Sequence, residues 1–485
     1  MSTAIDHPSA GVLHQAVRTR LGVRFTRAER RGMLWLGDMA VCAIAGILAL
    51  WLWSFTRNRP LGTILSEDGH LMLIMSVAWL FLAWALELYA LPTAADIRAV
   101  LPRLSGVAGI ILLSYLVIFF VVAPHNRLIR LPLVYFLILV TLLTSLWRWA
   151  LMLLLTRGVL RQRALIVGAG WAGRTIARLL RAQVSPEFEV LGFIDDDETK
   201  LGSKVEDLPV LGQGDDLLSV AHRVGADTII YAITHQLSGP MFRTLLDCQA
   251  AGLAVVRMPA LYEALTGRVP VEHVRGEWLL PDAIEGGQTS LFYRLSVRMI
   301  DLAFALLAGV ILVVLGPLIA LLIKLDSPGP VFYRQVRSGR GGVPFELVKF
   351  RSMHADAEAT TGAQWATEDD PRITRVGRWL RRTRLDELPQ VLNILHGDIH
   401  LIGPRPERPE FIAQLEREIP FYRARLAVKP GLTGWAQVKY RYGSTVEDAR
   451  IKLEYDLYYI KHRSLGLDLR ILMQTIGVML ALKGT

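Results

Sequence analysis

Apolar residues in the first third of this chain fall into solid blocks rather than stripes. Four blocks stand out: Met33–Phe55, Leu71–Leu91, Leu104–Ala123 and Leu131–Leu155. Each is near the ~20 residues that a helix needs to cross a bilayer. Asp38, Glu87 and Arg148 fall near block ends, where snorkelling or an interfacial position limits their cost. Buried helices of a large soluble protein are the weaker alternative.

The texture changes after Arg163. Ala164-Leu-Ile-Val167 reads as a buried strand, and Gly168-Ala-Gly170-Trp-Ala-Gly173 leads into a helix pattern through Leu180. Val190–Ile194 reads as a second strand and ends in three aspartates, Asp195 to Asp197. Thr228–Ile233 and Ala254–Met258 are further strand candidates. Strands alternating with helices predict a parallel, doubly wound sheet.

A fifth block, Leu302–Ile323, has 22 residues and could reach ~33 Å as a helix, so length permits a span. Its flanks argue otherwise. Arg294 and Arg298 precede it and Lys324, Arg334, Arg337 and Arg340 follow it, so both sides carry the cations of a cytoplasmic face. Gly316-Pro317 lies inside, where proline removes a backbone hydrogen bond and kinks or breaks a helix. A re-entrant helix that bends at Pro317 and returns to its face of origin satisfies both features. An ordinary kinked span is the alternative. The last apolar stretch, Leu465–Leu482, is expected to be an amphipathic or core-packing helix.

Composition sharpens this picture. The chain has 485 residues, 52% of them hydrophobic, and a net charge of +10 carried largely by arginine. That charge favours anionic partners such as lipid headgroups and nucleotide phosphates. Nucleic acid is disfavoured, because the cations flank apolar segments. The two cysteines, Cys42 and Cys248, offer neither a disulfide nor a zinc site. The basic first three dozen residues do not read as a cleavable signal peptide. Arginines before block one and after block four place the N-terminus and everything after residue 156 in the cytoplasm, with Arg127 and Arg130 counting mildly against it. The expected organisation is a basic arm (1–32), four transmembrane helices (33–156), a Rossmann-like α/β domain (163–281) and a mixed α/β membrane-associated domain with the re-entrant helix (294–485).

Candidate chemistry centres on Arg384-Leu-Asp386-Glu387-Leu-Pro-Gln390. Arg372, Arg375, Arg378, Arg381 and Arg382 precede it at helical spacing. Pro389 is tolerated only in a first helical turn, which makes Asp386 an N-cap for a helix Glu387–Leu395. A phosphate there would meet free backbone N–H groups and the positive helix end. Asp386 would then serve as nucleophile or metal ligand. A capped helix with a solvated acidic first turn fits the spacing equally well. Two phosphate-friendly turns follow, Gly403-Pro-Arg405-Pro406 and Pro430-Gly-Leu-Thr-Gly-Trp435. Arg405 could grip phosphate bidentately. Lys349 and Arg351 add cations beside an apolar strand pattern, whose bland reading is an exposed edge. His354 reads as a structural histidine, and Asp356 and Glu358 as helix-surface residues. Gly168, Gly170 and Gly173 form a dinucleotide-type fingerprint in the required strand–turn–helix setting. Bulky Trp171 and the lack of a Tyr-x-x-x-Lys motif leave a working NAD or nucleotide site and a nucleotide-binding relic or regulatory module equally open.

Together these motifs resemble the monotopic polyprenyl-phosphate sugar-1-phosphate transferases of bacterial glycan assembly. The resemblance rests on Arg298-Met-Ile-Asp301, Lys349-Phe-Arg-Ser-Met353 and Asp370-Pro-Arg-Ile-Thr374. It extends through Arg384–Gln390, Gly403–Pro406 and Pro430-Gly-Leu-Thr-Gly-Trp-Ala-Gln437. The layout resembles the large members, with four membrane helices and a Rossmann-like domain ahead of the catalytic part. Many members have Ser-Pro where Gly316-Pro317 stands here.

The resemblance implies that Asp386 attacks the β-phosphate of a UDP-sugar, giving a covalent phosphosugar and UMP. Undecaprenyl phosphate then takes the sugar phosphate. It further implies Mg²⁺ near Asp386, help from Glu387, and phosphate contacts from Arg405 with Lys349, Arg351 and Arg384 beside them. The expected setting is a multi-pass protein of the bacterial inner membrane, catalytic domain facing the cytoplasm, starting an exopolysaccharide or O-antigen type glycan. Membrane lipids are then partners, and a homo-oligomer is compatible. The rivals are a membrane-tethered NAD-dependent sugar-nucleotide oxidoreductase or dehydratase and a nucleotide-sensing transporter. The first lacks the Tyr/Lys pair and the second lacks polar groups in the spans.

Overall fold

The computed structural model describes residues 27–94, 96–122, 131–156, 161–184, 188–234, 238–273, 290–355, 357, 370–440, 443 and 445–480. Asp356 and Glu358 lie outside the described residues, as do the first 26 positions of the basic arm.

The N-terminal region consists of helices α1 (Arg27–Arg57), α2 (Leu61–Ala85), α3 (Leu91–Ala94), α4 (Ile97–Val122) and α5 (Leu131–Thr156). Helices α1, α2, α4 and α5 each contain a stretch long and apolar enough to cross a membrane. The second block extends to Leu91 in the hydropathy pattern, but α2 stops at Ala85 because Glu87 turns the chain at φ +61°. Close packing of α1 on α5 explains Gly37, where a Cβ would collide with the Trp147 ring.

Asp38 and Arg148 do not snorkel. Both side chains are 1% exposed, and Arg148 Nη2 donates to Asp38 Oδ2 at 2.6 Å. Arg148 Nη1 donates to the Leu88 carbonyl at 3.0 Å, so the guanidinium ties α1, α5 and the turn after α2 together. The neighbouring Tyr89 ring stacks on Trp35 at 4.2 Å. Hydropathy could not reveal this pair, since its members are 110 positions apart.

The α/β region runs β1 (Gln162–Val167), α6 (Trp171–Leu179), β2 (Phe188–Ile194), β3 (Lys204–Val205), β4 (Leu208–Gly212), α7 (Leu217–Val224), β5 (Thr228–Tyr231), α8 (Gly239–Ala250), β6 (Ala254–Arg257) and α9 (Met258–Thr266). One sheet has the order β3-β4-β2-β1-β5-β6. The β2–β4 and β5–β6 pairs are parallel, and β3–β4 is an antiparallel hairpin at the edge. Its turn residues Glu206 and Asp207 have φ +50° and +57°, the left-handed pair that tight hairpins need. Past α9 the chain joins a different core: Val269 and Val271 are buried with Leu401, Leu453 and Leu457.

The C-terminal region opens with α10 (Leu291–Asp326), which continues through Gly316-Pro317. One face packs inward through Ala305 and Ala308, and then through Ile319 and Ile323. The other leaves Leu306, Leu307, Val313, Val314 and Leu325 exposed. Next come the hairpin β7 (Phe332–Ser338) and β8 (Pro344–Phe350), α11 (Arg375–Thr383), α12 (Val391–His396), β9 (His400–Ile402), α13 (Pro409–Glu418), β10 (Gly431–Thr433), α14 (Trp435–Lys439), α15 (Val446–Lys461) and α16 (Leu465–Leu480). Helix α16 buries Leu467 and Ile471 in the core.

Both ends of α10 are fastened to this same fold. Arg298 donates to the last carbonyls of α12, Ile394 at 2.8 Å and Leu395 at 2.9 Å. Asp301 accepts from the Leu401 N–H at 2.8 Å and lies 2.7 Å from His400 Nδ1. At the far end Asp326 accepts from the Val376 N–H at 2.9 Å.

Candidate active site

The acidic pair sits on a tight turn between two helices. Thr374 caps α11 by accepting from the Gly377 N–H, and the helix ends at Arg384 in the left-handed region, φ +59°. A 3₁₀ turn, Leu385–Gln390, then leads into α12. Asp386 is therefore not the N-cap expected from Pro389. It is the second residue of the 3₁₀ turn, with Pro389 inside that turn and Arg384 at its entry. The pair is not solvated either: Asp386 and Glu387 are 7% and 8% exposed.

Cations converge on this turn. Glu387 Oε1 accepts from Lys349 Nζ at 3.0 Å and from Arg405 Nη2 at 2.7 Å. Burial pushes the Glu387 carboxyl up, but Arg405, Lys349 and Arg384 outweigh it and hold the acid well below its ordinary range. Asp386 moves the opposite way. Burial and the neighbouring Glu387 charge raise it, against the pull of Lys349, Arg381 and Arg384. Its Oδ1 is buried with no hydrogen-bond partner. Burial also lowers Lys349, opposed by Glu387.

The fold dictates these placements. Asn393 on α12 donates to the Glu346 carbonyl at 2.7 Å and accepts from the Val348 N–H at 3.1 Å, which registers β8 and Lys349 against the turn. Arg405 follows β9, and there Gly403 and Gly431 of β10 approach so closely that a Cβ on either would strike the other segment's backbone. Arg425 holds Arg405 from behind: its Nη2 donates to the Arg405 carbonyl at 3.0 Å and to Asp456 Oδ2 at 2.8 Å.

The expected residues divide. Lys349, Arg384, Asp386, Glu387 and Arg405 come together. Arg351 does not: its guanidinium donates to the Ser327 and Pro328 carbonyls at 2.7 Å each, at the end of α10. Strand alternation alone would put Arg351 on the same face as Lys349, but β8 ends at Phe350, and beyond it Arg351 turns to the anchoring role. The Pro430–Gln437 turn backs the Gly403 turn instead of facing the pair, with Trp435 buried and donating to the Gly267 carbonyl at 2.9 Å. Asp370-Pro-Arg372 closes on itself through bonds of 2.6 and 2.8 Å, and the Arg372 contact holds Asp370 down at about 2. His354 is exposed, and its backbone N–H donates to the Arg372 carbonyl at 3.0 Å. Arg337, which no motif marks, also gathers here and donates to the Pro406 carbonyl at 3.1 Å, while Arg381 Nε donates to Ser352 Oγ at 3.0 Å.

Among the described residues no group of three or more His, Cys, Asp or Glu gathers as a metal cage. The donor set nonetheless suits Mg²⁺, which is commonly held by one or two carboxylates plus substrate phosphates. Asp386 Oδ1 supplies an uncommitted oxygen, whereas Glu387 Oε1 is already taken by two cations.

The glycine fingerprint is occupied by its own chain. Gly168 has φ +102°, and a Cβ at Gly173 would collide with the Gly168 carbonyl. The Ala169 N–H donates to Asp195 Oδ2 at 2.6 Å, and Lys200 Nζ lies 3.1 Å from the other Asp195 oxygen. A Cβ at Gly170 would meet open space, and Trp171 is exposed.

Comparison with known proteins addresses the same region. A family model for bacterial sugar transferases matches residues 292–482, and a CoA-binding domain model matches residues 85–258. The chain is 44% identical over 247 residues to a UDP-N-acetylgalactosamine-undecaprenyl-phosphate N-acetylgalactosaminephosphotransferase of Aeromonas hydrophila. That match covers 50% of this chain and 56% of the relative, so the chain spans little more than half of that protein's length. It is 33% identical over 334 residues to a UDP-glucose:undecaprenyl-phosphate glucose-1-phosphate transferase of Xanthomonas campestris pv. campestris, covering 66% of this chain and 67% of the relative. An exopolysaccharide production protein of Rhizobium leguminosarum bv. phaseoli is 41% identical over 184 residues, 37% of this chain and 92% of the relative. The acidic pair and its cations lie inside the matched segment, and the chain belongs to the bacterial sugar transferase family.

Proposed function

We propose that this chain transfers a sugar 1-phosphate, a hexose derivative, from a UDP-sugar to undecaprenyl phosphate and releases UMP, the first membrane step of an exopolysaccharide or O-antigen type glycan. The observation that carries it is the contrast within the pair. Glu387 is tied to two cations, whereas Asp386 keeps a buried, unpartnered oxygen beside them.

In this reading Asp386 attacks the β-phosphorus. The bond from that phosphorus to the bridging oxygen breaks, UMP leaves with the electron pair, and a phosphosugar remains on the carboxylate. The acceptor lipid phosphate then displaces Asp386 and restores it. Splitting one displacement into two is the usual gain from a covalent intermediate. Arg405 and Lys349, fixed by Glu387, offset charge on the phosphoryl oxygens. When bound, Mg²⁺ would supply Lewis-acid charge neutralisation beside Asp386.

The same proposal takes residues 163–281 as Rossmann-like, supported by the β4-β2-β1-β5-β6 order, with ligand use left to the Gly170 surface. It takes 294–485 as the catalytic part. It takes α10 as a re-entrant membrane helix on the cytoplasmic face of the inner membrane, supported by the exposed apolar face of α10 and by the anchoring of both its ends to one fold.

Membranes supplied with undecaprenyl phosphate and labelled UDP-sugars should release UMP and form a lipid-linked product. Asp386→Asn should lower both by about 10³-fold or more, the scale of losing a nucleophile. Turnover that survives in Asp386→Asn would remove it from that role.

A further inference from the structure

Helix α11 is two-sided in a way that the reaction does not use. Gly377 and Leu380 are buried, Leu380 against Ile319 and Ile323 of α10, and Arg381 turns in to Ser352. Arg375, Arg378 and Arg382 are exposed, and Trp379 between them is 49% exposed. At about 100° per residue these four positions share an arc of roughly 100° opposite Leu380.

The exposed arginines have no ion-pair partner among the described residues, whereas Arg334 and Arg423 pair with Glu346 and Glu416. From Pro371 to Leu385 there are six arginines and no acidic residue. Like charges three and four positions apart oppose helix formation. Such a face is stable beside an anionic counter-surface.

The fold says where that surface lies. The first turn of α11 is bonded to Asp326, one residue past Leu325, which is 75% exposed at the end of the α10 apolar face. The helix therefore begins where that apolar face stops. Arginine forks match phosphate oxygens, and tryptophan favours the water–lipid boundary. Arg375 to Arg382 spans about 10 Å along the axis, too far for one phosphate and suited to several headgroups.

We propose that the outer face of α11 docks on anionic phospholipid headgroups of the leaflet that holds α10, and so keeps the Arg384–Gln390 turn at the membrane surface. The inference rests on the membrane reading of α10. Each surface arginine carries about a fivefold preference for an anionic membrane, so three carry about a hundredfold.

The full chain is reconstituted in phosphatidylcholine vesicles with and without phosphatidylglycerol, bearing an environment-sensitive fluorophore on Trp379→Cys or on Leu321→Cys of α10. A lipid-attached quencher should reach position 321 in both vesicle types. It should reach position 379 only with phosphatidylglycerol, and lose it in roughly 1 M salt, where the Debye length is about 3 Å. Arg375→Gln/Arg378→Gln/Arg382→Gln should abolish quenching at 379 and leave 321 unchanged. Quenching at 321 with none at 379, or equal quenching at 379 in both vesicles or in the triple variant, overturns the docking alone. No quenching at 321 overturns the membrane reading and the docking with it.

Discussion

Asp386 and Glu387 share one buried turn yet are driven in opposite directions as acids. Glu387 is held ionised by Arg405 and Lys349, and its negative charge in turn helps to raise Asp386. If ionised Asp386 is the attacking group, activity falls as pH drops through its raised pKa. Two substitutions should then move that acid limb in opposite senses. Lys349→Met removes a cation that lowers Asp386, so the limb moves to higher pH. Glu387→Gln removes an anion that raises it, so the limb moves to lower pH. Both should also slow UMP release by about 10²-fold, the scale of losing one charge-stabilising group. The check is a pH–rate profile of UMP release without lipid acceptor, and shifts of the same sign would contradict the assignment. Much of this site is legible as motifs, because Asp386, Glu387 and Arg405 occur in short fixed patterns. Arg425 and Asp456 are not legible. Their pairing joins residues 31 positions apart through a shared core, and no local spacing announces it.

At the level of elements, the apolar blocks and strand runs predict most helices and strands, since hydropathy alone selects a bilayer or a sheet interior. Ends escape that reading: Glu87 stops α2 through a left-handed turn, and the 3₁₀ turn at Asp386 displaces the expected N-cap. The stretch after α9 escapes it too, because Val269 and Val271 look like any loop valines until α15 covers them. That docking carries its own titration. Burial raises the Glu454 carboxyl to about 7, against the pull of Arg268 and Arg450. A carboxyl raised on folding contributes stability that is present below its unfolded pKa and is lost as pH rises through the folded one. The contact should therefore loosen between about pH 5 and pH 8. The Val269 N–H, which donates to the Glu454 carbonyl at 3.0 Å, reports it directly. Its hydrogen-exchange protection, corrected for the intrinsic rate, should fall over that window, and Glu454→Gln should flatten the dependence. A pH-independent wild type would mean that Glu454 stays ionised throughout.

For the whole molecule the proposed sidedness of α10 draws on two independent supports, cation counting and side-chain bonding. Arginine and lysine flank α10 at both ends, the pattern of a segment with both flanks in the cytoplasm. The bonds agree: Arg298 and Asp301 at one end, Asp326 and Ser327 at the other, all engage residues of one continuous fold. A helix that crossed the bilayer would put about 30 Å of hydrocarbon between those ends and break one set of bonds. Breaking the Arg298 set would leave the α12 carbonyls without their guanidinium, and breaking the Arg351 set would leave that arginine buried and unpaired, a loss of about 3–5 kcal/mol. Single cysteines at Gln249, before α10, and at Arg340, after it, should therefore react with a membrane-impermeant thiol reagent from the same face of oriented vesicles. Both positions are exposed, while the native Cys42 and Cys248 are buried and should stay silent. Labelling of the two from opposite faces would make α10 a full span and would overturn the proposed re-entrant reading.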